Sequence, residues 1–395
     1  MTLIASTLNH KMPILLSDLL WSSKEVPKEI RLPTNSFDLT PYLNTESEEK
    51  PVKLGQKMYF INNNVCIIFA GLSNEILVFL KVIKDTFKDY KQITIKDIHS
   101  FLKSYKNEIN FKESAFFITH IKNLKTNSIK VSQFYYPSET NEVDIETFNV
   151  KEGYWNIMKE SNFETTSACG NGTEGFLKMI KQKVLFDTRY AKGDFMRAIQ
   201  ANTILISKLL TLERVNLYTI KQNWGGGFEL AFYNGTKFEK IDKIAYVINH
   251  CQFDEVGNIG LPIPMLIMYY KYMNDILYIT ALEVFKYIIE ETETFINFAS
   301  HVGEFKTTIF EVEGIDMMNI DEYELPLDFS FNCNKISIGY HINTAENDIY
   351  NPAFFNLGDG VQISFKQQHS VKISLLRTFN DDIKNISKKA FSTFY

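Results

Sequence analysis

The sequence is poor in cysteine and has no block of basic residues. Its four cysteines lie far apart and suggest neither a disulfide framework nor a set of metal ligands, so we expect a protein of the reducing cytoplasm. Lysine and arginine, 42 in all, are spread along the chain, and the net charge is −5. Nucleic acid and anionic membranes are therefore not expected as partners. No residue pattern indicates a metal or another cofactor.

Long apolar runs are also missing. The N-terminal segment has no positively charged start, and His10, Lys11 and Asp18 interrupt its apolar residues, which is not the pattern of a signal peptide. The most apolar later segment, residues 261–270, ends at Lys271 and is too short to cross a bilayer. We therefore expect no membrane-spanning segment.

The chain nevertheless has enough apolar residues to build a large core. It contains 395 residues, of which 45% are hydrophobic and 14% are aromatic. This length predicts two domains, or one large domain with an added module. We expect the main domain over residues 1–250 and the added module over residues 251–395.

The segment most informative about function is residues 2–18. It predicts two short strands joined by a polar turn, with Thr2 at the start and Asp18 at the end. A threonine hydroxyl is a poor nucleophile unless a base lies beside it, and the α-amine of the same residue can be that base. An α-amine has a pKa of about 7.7–8.0, close to working pH. Removal of Met1 would thus make Thr2 an N-terminal nucleophile.

The next part of the chain changes composition and then returns to regular patterns. Residues 22–52 contain four prolines and many polar residues, which predicts a loop insertion at the mouth of the site. A strand hairpin then runs from Lys57 to Gly71. Apolar periodicity predicts helices over residues 72–89 and 94–105, the second with a capping box from Thr94 to Asp97. Paired strands follow over 115–121 and 129–136.

A second set of elements repeats this order. A strand ends at Gly170-Asn171-Gly172 and a helix follows, and a further helix runs from Asp194 to about residue 211. Residues 215–220 predict a strand, 225–227 a glycine bend, and 228–241 a hairpin with an Asn-Gly turn. Helices on both faces of two antiparallel sheets predict an α+β fold, a four-layer αββα sandwich.

Residues 2 to about 248 resemble a proteasome β subunit or its bacterial ATP-dependent peptidase relative. The resemblance rests on the separation of Thr2 from Asp18, on the lysine-to-glycine spacing from Lys57 to Gly71, and on the helix that follows it. It also rests on the glycine motifs at residues 168–172 and 224–227, each of which leads into the expected element. Together these motifs predict an N-terminal-nucleophile hydrolase.

The resemblance implies a role for each motif residue. Thr2 would attack a carbonyl while its amine takes the proton. Lys57 would lower the pKa of that amine, and Asp18 would hold Lys57, in preference to Lys53 four residues earlier. A backbone N–H at Gly71 would stabilise the oxyanion. The substrate would be a peptide or a small amide.

The sequence departs from the family at two places. Asn171 stands where the family has a serine in its later glycine motif, and it can hydrogen-bond but cannot share a proton as a hydroxyl does. The family's second aspartate precedes the glycine bend, where this chain offers only Lys221, Gln222 or Asn223. Both departures fall in the network that holds the terminal amine.

Beyond residue 250 the resemblance stops. Residues 261–298 have a broad apolar face and predict one long helix or two short ones. Five alternating segments after Gly303 predict a small β-rich module. Such a module could cover a sheet edge, mediate assembly with a partner protein, or control access to Thr2.

Two functions are therefore compatible with the sequence. The first is a threonine-type amidohydrolase or peptidase with Thr2 exposed. The second is an inactive proteasome-like scaffold whose C-terminal module recognises a partner. The family's stacking of helices between subunits also implies self-association through residues 72–89.

Overall fold

The structure is a computed structural model of the 395-residue chain. It describes residues 2–9, 12–23, 29–35, 37–43, 50–71, 73–105, 114–124, 128–136, 144–150, 165–181, 193–251, 263–273, 275–290, 298–312, 330–332, 335–343, 348–350, 353–356, 361–366 and 370–376. Met1 and His10 lie outside these ranges. The fold is mixed α and β, with several antiparallel sheets and four α-helices among the described residues.

The elements of the first part of the chain alternate strands with two helices. In order they are β1 (Ile4–Asn9), β2 (Met12–Asp18), β3 (Leu20–Ser23), β4 (Lys50–Leu54), β5 (Met58–Asn62), β6 (Val65–Ala70), α1 (Ser73–Phe87), α2 (Ile95–Ser104), β7 (Ala115–Leu124), β8 (Ser128–Tyr136), β9 (Asp144–Val150) and β10 (Thr165–Cys169).

The second part begins with two helices and continues with strands. These are α3 (Thr173–Lys181), α4 (Gly193–Asn216), β11 (Phe228–Tyr233), β12 (Phe238–Lys240), β13 (Ile244–Cys251), β14 (Ile263–Met273), β15 (Ile276–Glu290), β16 (Phe298–Val312), β17 (Ser330–Asn332), β18 (Lys335–Asn343), β19 (Asp348–Tyr350), β20 (Ala353–Asn356), β21 (Val361–Lys366) and β22 (Ser370–Leu376). Short 3-10 turns cover Thr40–Tyr42 and Ile220–Gln222.

The first sheet carries the N-terminal hairpin. Its strand order is β10-β1-β2-β11-β12, and every neighbouring pair is antiparallel. Strands β1 and β2 form the predicted hairpin, and β11 with β12 forms the predicted later one. Thr2 lies just before β1, while Asp18 ends β2 opposite Phe228 of β11. The sheet thus brings the chain's first residues beside the segment that follows the glycine bend.

The second sheet is a meander in sequence order, β5-β6-β7-β8-β9. Lys57 directly precedes β5 and Gly71 directly follows β6, so the two ends of this hairpin lie on the same side. The predicted helices are present as α1 and α2, and the Thr94–Asp97 capping box is formed. The apolar face of α1 packs inside the chain, through Ile83 and its neighbours, against this sheet.

Three apolar cores hold these elements together. One lies between the two sheets and includes Ile4, Leu15 and Ile68. A second lies between the meander and the helices α1 and α2. The third and largest lies on the other face of the first sheet, where α3, α4, the segment of residues 30–43 and the C-terminal strands converge. Trp224, fully buried in this third core, packs edge-on against Phe228.

The C-terminal strands form one large sheet. Ten strands, β13 to β22, belong to it among the described residues, and they are antiparallel except that β13 and β18 run parallel. The five predicted strands after Gly303 are all present. The predicted helix over residues 261–298 is wrong, because this region forms β14 and β15. Buried residues alternate onto both faces there, so the apolar pattern is continuous and mimics a helix.

Two other expectations need correction. Residues 22–52 are not simply a loop, because β3 pairs with β4 and because Ile30, Leu32 and Leu39 are buried in the largest core. Residues 44–49, in the same insertion, lie outside the described residues. The predicted strand over residues 215–220 is also absent, since α4 continues to Asn216 and a tight turn follows.

The long helix α4 is covered on two sides. It contacts β2 of the first sheet and β13, β18 and β20 of the C-terminal sheet. Strand β13, which lies inside the predicted main domain, therefore pairs with strands of the C-terminal module. Among the described helices, none combines the length and the apolar character that crossing a membrane requires.

Candidate active site

The structure brings Thr2, Asp18 and Lys57 together in a buried cluster, which we call the Thr2 cluster. The Thr2 hydroxyl donates a hydrogen bond to Asp18 Oδ1 over 2.6 Å and accepts one from the Lys57 ammonium. All three residues are almost fully buried. A hydroxyl held between a carboxylate and an ammonium is oriented by both, which is the arrangement that nucleophilic catalysis requires.

Asp18 is held by the backbone as well as by side chains. Its Oδ1 accepts the Leu3 N–H at 2.9 Å, and its Oδ2 accepts the Gly225 N–H at 2.9 Å. The carboxylate therefore joins the N-terminal strand to the glycine bend before β11. Because a buried carboxylate needs hydrogen-bond donors, these two N–H groups and Lys57 offset the loss of hydration of Asp18.

Lys57 uses all three of its N–H groups. Besides the Thr2 hydroxyl, its Nζ donates to Asp18 Oδ1 at 2.5 Å and to the Leu20 carbonyl at 2.6 Å. Burial lowers the pKa of the Lys57 ammonium, and the negative charges of Asp18 and Glu229 oppose that shift. The predicted ion pair with Asp18 is confirmed, whereas Lys53 is exposed and lies over the Trp21 ring.

A small cleft reaches this cluster from outside. It is a shallow depression that opens to solvent and is lined by Thr2, Lys57, Gly71 and apolar side chains. The apolar lining consists of Leu20, Trp21, Phe69, Ala70 and Ile76, with Ser22 as a further polar residue. Gly71 thus lies at the same opening as Thr2, as its spacing from Lys57 predicts.

The predicted site residue Asn171 occupies a different position. It is exposed, and among the described residues no hydrogen bond joins its side chain to Thr2, Asp18 or Lys57. Its neighbours provide the contact instead, since the Gly172 N–H donates to the Thr2 carbonyl at 3.3 Å. Gly170 has a φ of +101°, and a Cβ there would lie 2.1 Å from the Thr2 carbonyl oxygen. The motif therefore acts through its backbone.

Glu213, which the sequence pattern did not single out, supports the glycine bend. This fully buried residue of α4 accepts hydrogen bonds from the Gly226 N–H at 3.0 Å, from Thr34 at 2.6 Å and from Thr219. Burial raises the pKa of the Glu213 carboxyl, and the hydrogen bonds oppose that shift. The sequence has Lys221, Gln222 and Asn223 where the resemblance places a second aspartate. Lys221 and Gln222 are exposed, and Asn223 is buried with no hydrogen-bond partner for its Oδ1 among the described residues.

A second buried cluster lies behind Lys57 and was likewise missed. Glu229 Oε2 accepts the backbone N–H of Lys57 at 2.9 Å, while Glu229 Oε1 accepts from Lys240 at 2.6 Å and from the Tyr272 hydroxyl at 3.2 Å. Gln56 completes it by accepting from Lys240. We call these four residues, Glu229, Lys240, Tyr272 and Gln56, the Glu229 cluster.

One sequence signal could have indicated both missed carboxylates. Glu213 and Glu229 are single acids within otherwise apolar stretches, one in a helix and one in a strand. A buried acid needs a partner, so such an isolated position predicts a long-range contact. Among the described residues, no group of three or more histidine, cysteine or acidic side chains could hold a metal ion.

Two comparisons with known proteins do not assign this chain to a family. A scan against protein-family models finds no family that matches this chain, and a search of curated proteins finds no significant relative.

Proposed function

We propose that this chain is a threonine-type N-terminal-nucleophile hydrolase of the proteasome β-subunit kind, acting on peptides or small amides. The observation that carries the proposal is the Thr2 cluster, in which residues from three separate segments meet at a cleft. Thr2, Asp18 and Lys57 are 16 and 39 residues apart along the chain. A buried hydroxyl bonded to both a carboxylate and an ammonium has a chemical use that packing alone does not require.

The reaction needs a free α-amine on Thr2. The amine takes the proton of the hydroxyl as Oγ attacks the substrate carbonyl carbon, and an ester to Thr2 forms as the C–N bond breaks. The amine then gives the proton to the leaving nitrogen, and water releases the acyl group by the reverse path. The positive charge of Lys57 disfavours protonation of the nearby amine, which keeps it available as a base.

The cleft supplies the remaining requirements. The Gly71 backbone N–H, at the opening beside Thr2, is proposed as the donor to the oxyanion. Losing one such donor costs about 3–4 kcal/mol in other hydrolases. The apolar lining favours an apolar acyl side chain.

The packing of the elements supports the finer fold assignment. Helices α1 and α2 cover one sheet, the two sheets face each other, and α3 and α4 cover the other sheet. We propose that these elements form a four-layer αββα sandwich of the N-terminal-nucleophile type, to which the C-terminal sheet is added on the α4 side. Self-association and a cytoplasmic location remain part of this proposal.

The test combines the mass of the N-terminal peptide with covalent labelling. Protein whose N-terminal peptide shows a free Thr2 is treated with a β-lactone or an epoxyketone, and we expect mass addition on that peptide. The matched control is Thr7→Ala, because Thr7 is another buried threonine of the same hairpin that bonds only to Asn202 among the contacts of described residues. Labelling that persists in Thr2→Ala would place the nucleophile elsewhere.

A second candidate function is an inactive scaffold. The exposed side chain of Asn171 favours it, because the family's serine at this place belongs to the network around the amine. A scaffold would retain Met1, or would show neither labelling nor amide hydrolysis when Thr2 is verified as the first residue. A substrate panel of short peptides and acyl amides, assayed with that verified protein, separates the two functions.

A further inference from the structure

The Glu229 cluster lies where two parts of the chain meet beside Lys57. Glu229 belongs to β11 of the first sheet, Lys240 to β12, and Tyr272 to β14 of the C-terminal sheet. The side chain of Glu229 is fully buried, and that of Lys240 is 16% exposed. One carboxylate therefore contacts both the lysine segment and the C-terminal sheet.

The contacts of Glu229 divide between its two oxygens. Oε2 faces the site, where it accepts the Lys57 N–H at 2.9 Å and a longer bond from Ser17 at 3.4 Å. Oε1 faces away from the site and accepts from Lys240 and Tyr272. Because the two oxygens are joined rigidly, a shift of the C-terminal sheet would move the lysine segment.

Gln56, the residue before Lys57, provides a second connection. Its Nε2 donates to the carbonyl of Asp275 at 2.9 Å, in the turn between β14 and β15, and to that of Val312 at 3.3 Å, at the end of β16. Its Oε1 accepts from Lys240 at 2.6 Å. Two consecutive residues, Gln56 and Lys57, are thus held from the side opposite the cleft.

We propose that Glu229 is a positioning residue that fixes the Lys57 segment against the C-terminal sheet, so that this sheet is part of the catalytic scaffold. The expected effect of Glu229 on turnover rests on the proposed function. The placement of Lys57 by Glu229 does not depend on that function. The role is indirect, because Glu229 bonds to the backbone of Lys57 and not to Thr2.

The charged and titratable groups around Lys57 determine how a variant would change the pKa of Lys57. Asp18 faces its Nζ from β2, Glu229 faces its backbone from β11, and Lys240 and Tyr272 lie behind Glu229. The negative charge of Glu229 raises the pKa of Lys57 and so favours the ammonium form. Replacing Glu229 by glutamine keeps the shape of the side chain and removes that charge.

The experiment compares Glu229→Gln and Tyr272→Phe with the control Glu283→Gln. Glu283 pairs with Arg214 at 2.7 Å, so its variant weakens another contact between the C-terminal sheet and α4 without touching Lys57. Each protein is verified to carry a free Thr2, and three quantities are measured: the rate of β-lactone labelling at Thr2, its pH profile, and the titration of Lys57 by NMR of ¹³Cε-labelled lysine, assigned with Lys57→Arg.

We expect Glu229→Gln to slow labelling by about 10- to 100-fold, as a small misplacement of a catalytic group does. The Lys57 titration should move to lower pH, with Tyr272→Phe changing both readouts less and Glu283→Gln changing neither. An unchanged labelling rate and Lys57 titration in Glu229→Gln would overturn the proposal, as would an equal loss in Glu283→Gln. Should Glu229→Gln not fold, Tyr272→Phe decides by the same criteria.

The failure of the proposed function would look different. A wild-type protein with free Thr2 that is never labelled would reject the hydrolase, while the Lys57 titration in the variants would still judge the role of Glu229. Because Glu229→Gln removes a charge that itself raises the pKa of Lys57, the neutral change Tyr272→Phe decides this point: a shifted Lys57 titration in Tyr272→Phe supports the positioning role, and an unshifted one rejects it.

Discussion

Two lysine–carboxylate pairs lie close together in this protein, and only one of them holds the hydroxyl that we propose as a nucleophile. In the Thr2 cluster, Lys57 is 2.5 Å from Asp18, and in the Glu229 cluster, Lys240 is 2.6 Å from Glu229. The first pair also bonds a hydroxyl that opens on a cleft, whereas the second pair bonds a tyrosine, a glutamine and backbone.

The difference shows that a buried ion pair is by itself poor evidence of catalysis. Both pairs need further hydrogen bonds to offset the loss of hydration, and both have them. What separates them is whether one of those bonds goes to a nucleophile that a substrate can reach. The contrast yields four predictions, in order of decreasing effect on turnover.

The largest effect is expected from removing the nucleophile of the Thr2 cluster. Thr2→Ala should lower turnover by about a thousandfold or more, as loss of a catalytic nucleophile does elsewhere. Thr2→Ser should retain activity, because both the hydroxyl and the amine remain. Kinetics with a fluorogenic amide measures both variants. Comparable rates for Thr2→Ala and wild type would mean that the cluster is structural, like its neighbour.

The next effect comes from matched replacement of the two lysines. Lys57→Met and Lys240→Met each leave a buried carboxylate unpaired, which costs about 3–5 kcal/mol of unfolding free energy. Turnover should vanish only in Lys57→Met and fall about tenfold in Lys240→Met, because Lys240 acts through the placement of Glu229. Urea unfolding and kinetics are measured together. Equal activity in the two variants contradicts the distinction between the clusters.

A smaller effect is expected at the glycine bend. Gly225 has a φ of +106°, and an added Cβ would lie 2.2 Å from Glu213 Oε2, so Gly225→Ala should displace the N–H that holds Asp18. Gly235→Ala is the control, since Gly235 has a φ of +100° but open space around it. In both variants the positive φ should lower the unfolding free energy by about 1–2 kcal/mol. Only Gly225→Ala should also reduce turnover, and an equal reduction in both would reject the link to Asp18.

The smallest effect concerns stability and its dependence on pH. Burial raises the pKa of Glu213 above its usual 4.5, so its favourable contribution is full at acidic pH and is lost as pH rises through the raised pKa. As pH rises from about 4.5 to about 7.5, the unfolding free energy of Glu213→Gln should therefore increase relative to that of wild type. The expected increase is about 1.4 kcal/mol for each unit by which the pKa of Glu213 is raised. The comparison variant is Glu29→Gln, which removes a carboxylate that is exposed instead of buried.

Urea titrations of the three proteins at both pH values give this comparison. If the difference between Glu213→Gln and wild type stays constant or falls with pH, the carboxyl is charged in the folded protein at both pH values. Glu213 would then resemble Asp18, and the bend would hold two ionised carboxylates.

The predictable parts of the fold are those whose signals are local. The hairpin of residues 2–18, the spacing from Lys57 to Gly71 and the capping box at Thr94 are each contained within a short segment. Local patterns determine such elements, whereas the ion pair of Lys57 with Asp18 was implied by the family resemblance that these segments carry. The placement of this pair beside Thr2 was therefore accessible from sequence.

The rest depended on contacts between distant segments. In β14 and β15, Leu266, Met268 and Ile279 face the largest core while intervening residues are also buried, and a doubly buried strand gives the same continuous apolar run as a helix. Glu213 bonds Thr34 across 179 residues and Glu229 bonds the Lys57 N–H across 172 residues, so no local pattern reports these two partners. Only the charge itself, placed among apolar neighbours, marked these positions.

The parallel pairing of β13 with β18 has a consequence for the order in which the protein is completed during synthesis. Residues 244–251 stay unpaired on one edge until residues 335–343 have been made, about 85 positions later. Val312, which accepts from Gln56 beside Lys57, also appears within that interval. We expect the nascent chain to assemble its first two sheets early and to fix the lysine segment late, so that the Thr2 cluster becomes fully ordered only when β14 to β16 exist.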